Sequence, residues 1–187
     1  MQSRADLPPD LRRRFRTGRA ALDLVHTGGE GELAVWEIVH TVADLRRFLA
    51  VILDLEELDA AESDLPAMRT LRAAITGAAY GRAAGEQLRP ADVAAINAVA
   101  AQPPLIPELR IDGSAEYARP TAAAALSTLA RDAVDLFSGP LSGRIRVCAA
   151  DDCGLLFVDA SRPGRRRWCS MDRCGNLSKV RRHRGQE

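Results

Sequence analysis

The sequence predicts a mainly α-helical protein: a helical N-terminal domain containing one small β-hairpin, then a short C-terminal unit built from a second β-hairpin and a helix. Two observations predict this class. Apolar residues recur at helical intervals through most of the first 138 residues. After residue 143 they occur in short strand-like runs, and all four cysteines lie in that last stretch. We therefore expect a polar leader at residues 1–16, a helical domain at 17–143 and a C-terminal unit at 144–187.

The helical domain opens with an apolar segment and a capped helix. "ALDLVHT" begins at Ala21 as a compact apolar run, and the glycines of "TGGEGE" mark the loop that follows it. Thr41 predicts a helix start because Asp44 follows at the spacing of a capping box. Apolar residues then recur at helical spacing at Val42, Leu45, Phe48, Leu49 and Ile52.

The remaining elements of this domain are three helices and a hairpin. Helical periodicity runs through 65–84, resumes at Pro90, which suits a first helical position, and returns at 121–138. Between the last two helices, residues 109–112 and 116–119 flank Gly113 and Ser114 and predict a small hairpin. "SGPLSG" ends the last helix, so we place the domain boundary there.

The four cysteines are spaced as two equal pairs. Cys148 and Cys153 form one C-x4-C pair, fifteen residues follow, and Cys169 and Cys174 form the second. Two such pairs can surround one Zn²⁺ tetrahedrally and leave no ligand position for water, so we expect a structural zinc ion and not a catalytic one. Two disulfides or free thiols are the competing interpretation.

The N-terminus bears on that choice, because disulfides need an oxidising compartment. Residues 1–20 are polar and arginine-rich and carry no apolar core of signal-peptide type. No stretch approaches the roughly 18 apolar residues that cross a bilayer. We therefore expect a cytoplasmic protein without membrane association, which favours zinc over disulfides.

The order of elements after residue 143 is that of a treble-clef-like zinc finger. "RIRVC" and "GLLFVDA" are short strand-like runs, "SRPGRR" is a turn, and "NLSKVRRHR" is helical. Gly175 is expected to supply backbone freedom after the last cysteine, and Asn176 to cap the helix. Phe157 and Trp168 are the expected apolar floor of the metal site. A unit of about 40 residues needs such a metal, because it cannot bury enough apolar surface to fold unaided.

Charge is unevenly distributed along the chain. Residues 162–187 carry nine arginines or lysines against two acids, whereas the whole chain has a net charge of only +1. A basic end on an acidic body predicts binding of a polyanion, for which duplex DNA is our first candidate. The candidate contacts are Arg162, Arg165, Arg166, Arg167, Arg173, Lys179, Arg181, Arg182, His183 and Arg184. One finger is a small DNA-binding unit, so we expect a homodimer.

Two other interpretations of this basic end stay open. It can be the docking surface of a protein–protein adaptor that binds an acidic partner or RNA. It can also be a solvated helix whose cations favour its own C-terminus.

The C-terminal segment "CAADDCGLLFVDASRPGRRRWCSMDRCGNLSKVRRHR" resembles the CGNR zinc finger. "ALDLVHT", followed by a helical domain with few aromatic residues, resembles the ABATE domain that precedes this finger, so the resemblance covers roughly residues 15–186. It implies a stress-responsive bacterial transcription regulator with its zinc ligands at the four cysteines. In two places the chain departs from the family. Leu177 replaces the arginine of the motif, and we expect it to pack against the finger instead. His26 stands where the family usually has asparagine.

Polar and aromatic residues gather early in the helical domain, at Asp23, His26, Thr27 and Trp36. One hypothesis makes them the lining of a pocket for a small-molecule effector. The simpler interpretation, which we favour, is that they are buried residues held by hydrogen bonds. We predict no enzymatic activity, because the chain has no glycine-rich phosphate loop, no G-x-S-x-G motif and no histidine pair at metal spacing.

Overall fold

The structure is a computed structural model that describes residues 7–184, without the side chains of residue 10 and of residues 181–184. Within that range the chain is mainly α-helical, as predicted, with two separate two-stranded hairpins. The helices are α1 (Pro9–Arg14), α2 (Ala20–Val25), α3 (Val42–Leu53), α4 (Asp64–Ala83), α5 (Pro90–Ala100), α6 (Ala122–Ser138) and α7 (Asn176–Arg184). The strands are β1 (Pro107–Leu109), β2 (Ala115–Tyr117), β3 (Ile145–Val147) and β4 (Leu156–Val158). None of the helices described has both the length and the apolar character needed to cross a bilayer.

The helices begin where local side-chain chemistry places their starts. The Thr41 side chain accepts a hydrogen bond from the Asp44 backbone, and the Asp44 carboxylate accepts one from the Thr41 backbone, so the predicted capping box is present. Pro90 occupies the first position of α5 as predicted. Thr121 caps α6 by accepting from the Ala124 N–H at 3.2 Å.

The short helix α2 lies at the centre of the helical core. Its apolar side chains at Ala21, Leu22, Leu24 and Val25 are all fully buried. Helices α3, α4 and α6 pack around it. Their fully buried large side chains are Leu45 and Leu49 of α3, Met68, Leu71 and Ile75 of α4, and Leu126, Leu129 and Leu136 of α6.

The predicted first hairpin is present, but both strands begin one or two residues earlier in the chain than predicted. Strands β1 and β2 pair antiparallel, with Glu108 opposite Glu116. The displacement has a local cause: the Asp112 carboxylate accepts hydrogen bonds from the N–H and hydroxyl of Ser114, and the Arg110 N–H donates to the Ser114 carbonyl at 2.8 Å. These bonds draw residues 110–114 into the turn.

The second hairpin contributes to two apolar clusters, and its strand β4 is buried on both faces. Its pairs, in register, are Ile145 with Val158, Arg146 with Phe157 and Val147 with Leu156. Because residues opposite each other share a face, Ile145, Leu156 and Val158 all point into the helical core. Phe157 points to the other side, where it packs with the cysteines in a second, smaller apolar cluster. The segments on either side of residue 143 therefore share a core, and their division into separate folding units stays a prediction.

Candidate metal centre and basic surface

The four cysteine sulfurs lie within 4.8 Å of one another. The Cys169 sulfur is 3.5 Å from that of Cys153 and 3.7 Å from that of Cys174, and none of the four cysteines forms a disulfide. A zinc ion with four sulfurs at about 2.3 Å requires sulfur–sulfur distances of about 3.8 Å. The cluster thus fits one tetrahedral, structural zinc ion.

Backbone hydrogen bonds shape the first cysteine pair into a knuckle between β3 and β4. The Cys148 N–H donates to the Leu155 carbonyl at 2.8 Å, and the Cys153 N–H donates to the Ala150 carbonyl at 3.1 Å. The second pair is tied to the first, because the Cys169 N–H donates to the Cys148 sulfur at 3.4 Å. Such an N–H···S bond stabilises a charged thiolate.

The junction after the last cysteine differs from our prediction. Cys174 lies in a π-helical turn, Met171–Gly175, that runs directly into α7. A Cβ at Gly175 would lie 2.7 Å from the Met171 sulfur, so the glycine makes room for that side chain and adopts no left-handed conformation. Asn176 has helical dihedral angles, φ −70° and ψ −43°, and is therefore the first residue of the helix and not its cap.

The thiols compete for negative charge. Hydrogen bonds from Cys153, first, and from Cys169 lower the pKa of Cys148 to about 2. The same contact with Cys148 raises the pKa of Cys153 to about 12 and also raises the pKa of Cys169. Ionisation of Cys148 therefore opposes ionisation of Cys153 and Cys169. A divalent cation among them resolves this conflict, because all four sulfurs can then bind as thiolates.

Phe157 and Trp168 pack against the cysteine cluster, as predicted, with Phe157 fully buried. The Arg166 guanidinium lies 4.7 Å from the centre of the Phe157 ring. It also donates to the Trp168 carbonyl at 2.8 Å and to the Cys169 carbonyl. Arg166, one of the candidate DNA contacts, is thus used inside the finger, and this geometry favours a supporting role for it.

A buried carboxylate that sequence reasoning missed holds the arginine-rich turn. Asp159 is fully buried, and its two oxygens accept from the N–H and hydroxyl of Ser161 and, at 2.8 Å, from the N–H of Arg166. The Ser161 hydroxyl, followed by other hydrogen bonds, lowers the pKa of Asp159. The signal was present in the sequence, because aspartate two residues before serine is a common turn pattern.

The other candidate DNA contacts are mostly exposed. Arg162, Arg165, Arg167 and Lys179 are exposed, and Arg173 is half-buried. The Arg167 guanidinium lies over the Trp168 ring at 5.1 Å. The side chains of Arg181, Arg182, His183 and Arg184 lie outside the described residues, although their backbone continues α7. Leu177 does not pack against the finger as predicted, because it is 41% exposed on the first turn of α7.

Two family models match the chain over adjacent ranges. The model described as "ABATE: Putative stress-induced transcription regulator" matches residues 18–140, about two thirds of the chain. The chain belongs to the ABATE family. A model of the CGNR zinc finger matches residues 144–187 of this ABATE chain, so the resemblance seen in the sequence is confirmed. A search of curated proteins found no match. Both families are regulatory or zinc-binding, and the ABATE chain is accordingly a regulatory zinc-binding protein.

Three of the four residues predicted to line a pocket in the ABATE domain are fully buried in its core. The Asp23 carboxylate accepts from the Thr17 hydroxyl at 2.8 Å. The Thr27 hydroxyl accepts from the Arg72 guanidinium at 3.0 Å. Asp23, His26 and Thr27 therefore form a buried polar layer held by hydrogen bonds.

His26 joins this polar layer to the zinc finger of the ABATE chain. Its Nε2 lies 3.1 Å from both the N and the O of Leu156, so either neutral tautomer has a partner in β4. Its ring meets Trp36 edge-on at 5.9 Å, and Trp36 packs in turn against the cysteine cluster. Burial lowers the pKa of His26 to about 4, so the imidazole is neutral at neutral pH.

Proposed function

We propose that this protein is a zinc-dependent, DNA-binding transcription regulator that acts as a cytoplasmic homodimer. In this proposal Cys148, Cys153, Cys169 and Cys174 hold one structural zinc ion. The supporting observation is that the unit whose cysteines fit a metal carries exposed cations on its arginine-rich turn, and that the acid anchoring this turn, Asp159, is buried. The positive charge of the finger thus faces solvent without a neutralising partner from the turn itself.

The exposed arginines of the turn are the main phosphate contacts in this proposal. Arg162 and Arg165 lie in the turn at 161–166, and Arg167 follows it directly. Hydrogen bonds of Asp159 and Arg166 hold this segment in shape. A cation held on a rigid turn loses less conformational entropy on binding than one on a free chain. Each phosphate it neutralises releases counterions, which drives association and makes it dependent on salt.

The ABATE domain supplies dimerisation and ligand sensing in this proposal. Dimerisation is supported by the small size of one finger, since a dimer presents two fingers to two half-sites. Sensing is supported by the contacts of His26 and Trp36, through which the helical domain touches the finger.

The test measures binding of the full zinc-loaded chain to labelled duplex DNA by fluorescence anisotropy across a salt series. We expect log affinity to fall linearly with log salt, and the slope to decrease by about 1.8 in an Arg165→Gln/Arg167→Gln variant, since each lost phosphate contact removes about 0.9. Arg46→Gln/Arg47→Gln is the matched control, because it removes two exposed cations from α3, outside the finger, and should leave the slope unchanged.

The competing functions give different results in the same assay. Tighter binding to an RNA hairpin or to polyglutamate than to duplex DNA would support the adaptor and contradict the regulator. Equal slopes for the finger variant and the α3 control would contradict the assignment of the turn arginines. Sedimentation of the DNA-free chain tests the homodimer separately.

A further inference from the structure

A cleft of about 550 Å³ lies between helix α4 and the segment at 29–37 that follows α2. Its volume is within the range of small-molecule sites, roughly 300–1,000 Å³. None of the four residues that the sequence suggested for a pocket lines it. It is instead built around a pair of charges at its wall, Arg72 and Glu37.

Arg72 already binds a carboxylate in this cleft. Its guanidinium is 5% exposed and donates to both oxygens of Glu37, at 3.0 Å and 2.6 Å. This is the bidentate geometry in which arginine recognises carboxylates. Gly28 allows the close approach of Glu37, because a Cβ at position 28 would lie 2.5 Å from the Glu37 Cα.

The cleft holds a second arginine that is available for a ligand. Arg69 lies one turn before Arg72 on α4 and is exposed at the rim. Within residues 7–180, whose side chains are described apart from residue 10, no ion pair or hydrogen bond of the Arg69 side chain is found. Leu33 and Ala73 add apolar surface beside it.

The charges of the cleft favour a singly charged ligand. Arg72 is paired with Glu37 and Arg89 with Asp92, which leaves Arg69 to meet an incoming anion. Glu30 and Glu37 also line the cleft and would repel a doubly charged phosphate more strongly than a carboxylate. A molecule with one carboxylate and a small apolar body fits both the charge and the lining.

The segment that lines the cleft also contacts the zinc finger. Glu37 lies in the cleft, its neighbour Trp36 packs against the cysteine cluster, and the Ile38 N–H donates to the Thr27 carbonyl at 2.9 Å. The Thr27 hydroxyl also binds Arg72. A ligand that draws Arg72 away from Glu37 therefore loosens the segment that holds Trp36 on the finger.

We propose that the cleft between α4 and residues 29–37 binds a small organic monocarboxylate through Arg69 and Arg72, and that occupancy alters the contact of Trp36 with the zinc finger. This deepens the sensing role in the proposed function by giving it a site and a ligand class. The binding step itself requires no DNA.

The first test is calorimetric titration of the zinc-loaded full chain, without DNA, with acetate, butyrate and benzoate at constant ionic strength. Acetamide, butyramide and benzamide are the neutral controls. We expect saturable binding of at least one carboxylate but of none of the amides. Arg69→Gln should weaken binding about tenfold or more, through loss of a charge-assisted hydrogen bond. Arg46→Gln, an exposed arginine on α3, should leave it unchanged.

Three results would overturn the site: no saturable carboxylate binding, equal binding of the matched amide, or equal affinity in the Arg69→Gln variant. Saturable binding of inorganic phosphate in preference to every carboxylate would overturn the ligand class. Because DNA is absent from this titration, a protein that fails to bind DNA can still bind the carboxylate. A protein that binds DNA can likewise fail to bind the carboxylate.

The second test follows Trp36 fluorescence in a Trp168→Phe variant, which leaves Trp36 as the single tryptophan. We expect its emission to change on carboxylate addition, with the same midpoint as the calorimetric titration. Binding without any change in Trp36 emission would overturn the coupling to the finger.

Discussion

Arg165, Arg166 and Arg167 are consecutive in sequence, but their side chains have different surroundings. Those of Arg165 and Arg167 are exposed, whereas the Arg166 guanidinium lies on the Phe157 ring and donates to two backbone carbonyls. The two carbonyls are those of Trp168 and Cys169, next to and at a proposed metal ligand. One residue of this triplet is therefore part of the finger's structure, and its two neighbours form part of the surface.

This difference gives a prediction about zinc affinity. Arg166→Gln should weaken the finger by about 1–3 kcal/mol, because two backbone carbonyls lose a charged donor. A chromogenic chelator competing for zinc would measure this as a lower metal affinity. Arg165→Gln is the matched control and should release zinc as the wild type does. Equal loss in the two variants would show that Arg166 does not support the site.

His26 gives a prediction about pH. Burial lowers its pKa to about 4 from an ordinary value of 6.5, so the unfolded chain binds a proton that the folded chain does not between these values. The stabilisation is complete above pH 6.5 and is lost as the pH falls toward 4, by up to about 3 kcal/mol. Urea unfolding at pH 7 and pH 5 should show this loss in the wild type and a smaller one in His26→Asn.

The control for this experiment is His40→Asn, which makes the same replacement at an exposed histidine. Carboxylates also take up protons as the pH falls, and comparison between variants removes their contribution. An identical pH dependence in the wild type and His26→Asn would contradict the assignment.

The sequence predicts the metal ligands of this protein better than it predicts the side chains around them. The cysteine cluster follows from spacing alone, because two close pairs separated by a hairpin leave few ways to arrange four sulfurs. The role of Arg166 does not follow, since the turn geometry that distinguishes it from Arg165 depends on the buried Asp159. Arg72 and Glu37 were missed for a related reason. They are 35 residues apart, and only the packing of α4 against the segment after α2 brings them together.

At the scale of elements, predictions succeed where local chemistry decides. Thr41, Pro90 and Thr121 mark the starts of α3, α5 and α6 because capping and proline geometry act within one turn. The 3₁₀ helix Gly31–Trp36 and the π-helical turn Met171–Gly175 were not predicted. Their conformations accompany long-range contacts, of Trp36 with the cysteine cluster in one case and of Cys174 with the other sulfurs in the other.

The segment between α2 and α3 gives a prediction about glycine. Gly28 has φ +142°, and a Cβ there would lie 2.5 Å from the Glu37 Cα, a backbone atom. Gly28→Ala should lower the free energy of unfolding by about 2–4 kcal/mol in urea denaturation. Gly143→Ala is the control, because a Cβ there has open space and the backbone is not left-handed. Similar stability in the two variants would contradict this account of the segment.

At the scale of the whole molecule, the second hairpin makes zinc a stabiliser of both parts of the chain. Ile145, Leu156 and Val158 lie in the helical core, and Phe157 of the same hairpin lies in the metal cluster. Chelation should therefore lower the melting temperature of the helical signal in circular dichroism, and not only that of the finger. An unchanged helical melting temperature after complete zinc removal would show that the finger unfolds alone.

The second hairpin, which packs in both apolar clusters, also limits how domains of this protein can be exchanged. Truncation at residue 143 would leave a cavity in the helical bundle, because the side chains of Ile145, Leu156 and Val158 would be lost from its core. The excised finger would carry the same three side chains uncovered, and such a fragment would tend to aggregate. A functional chimera must therefore exchange the finger together with the bundle surface that receives it, which makes the pair, and not either part, the unit that can be transplanted.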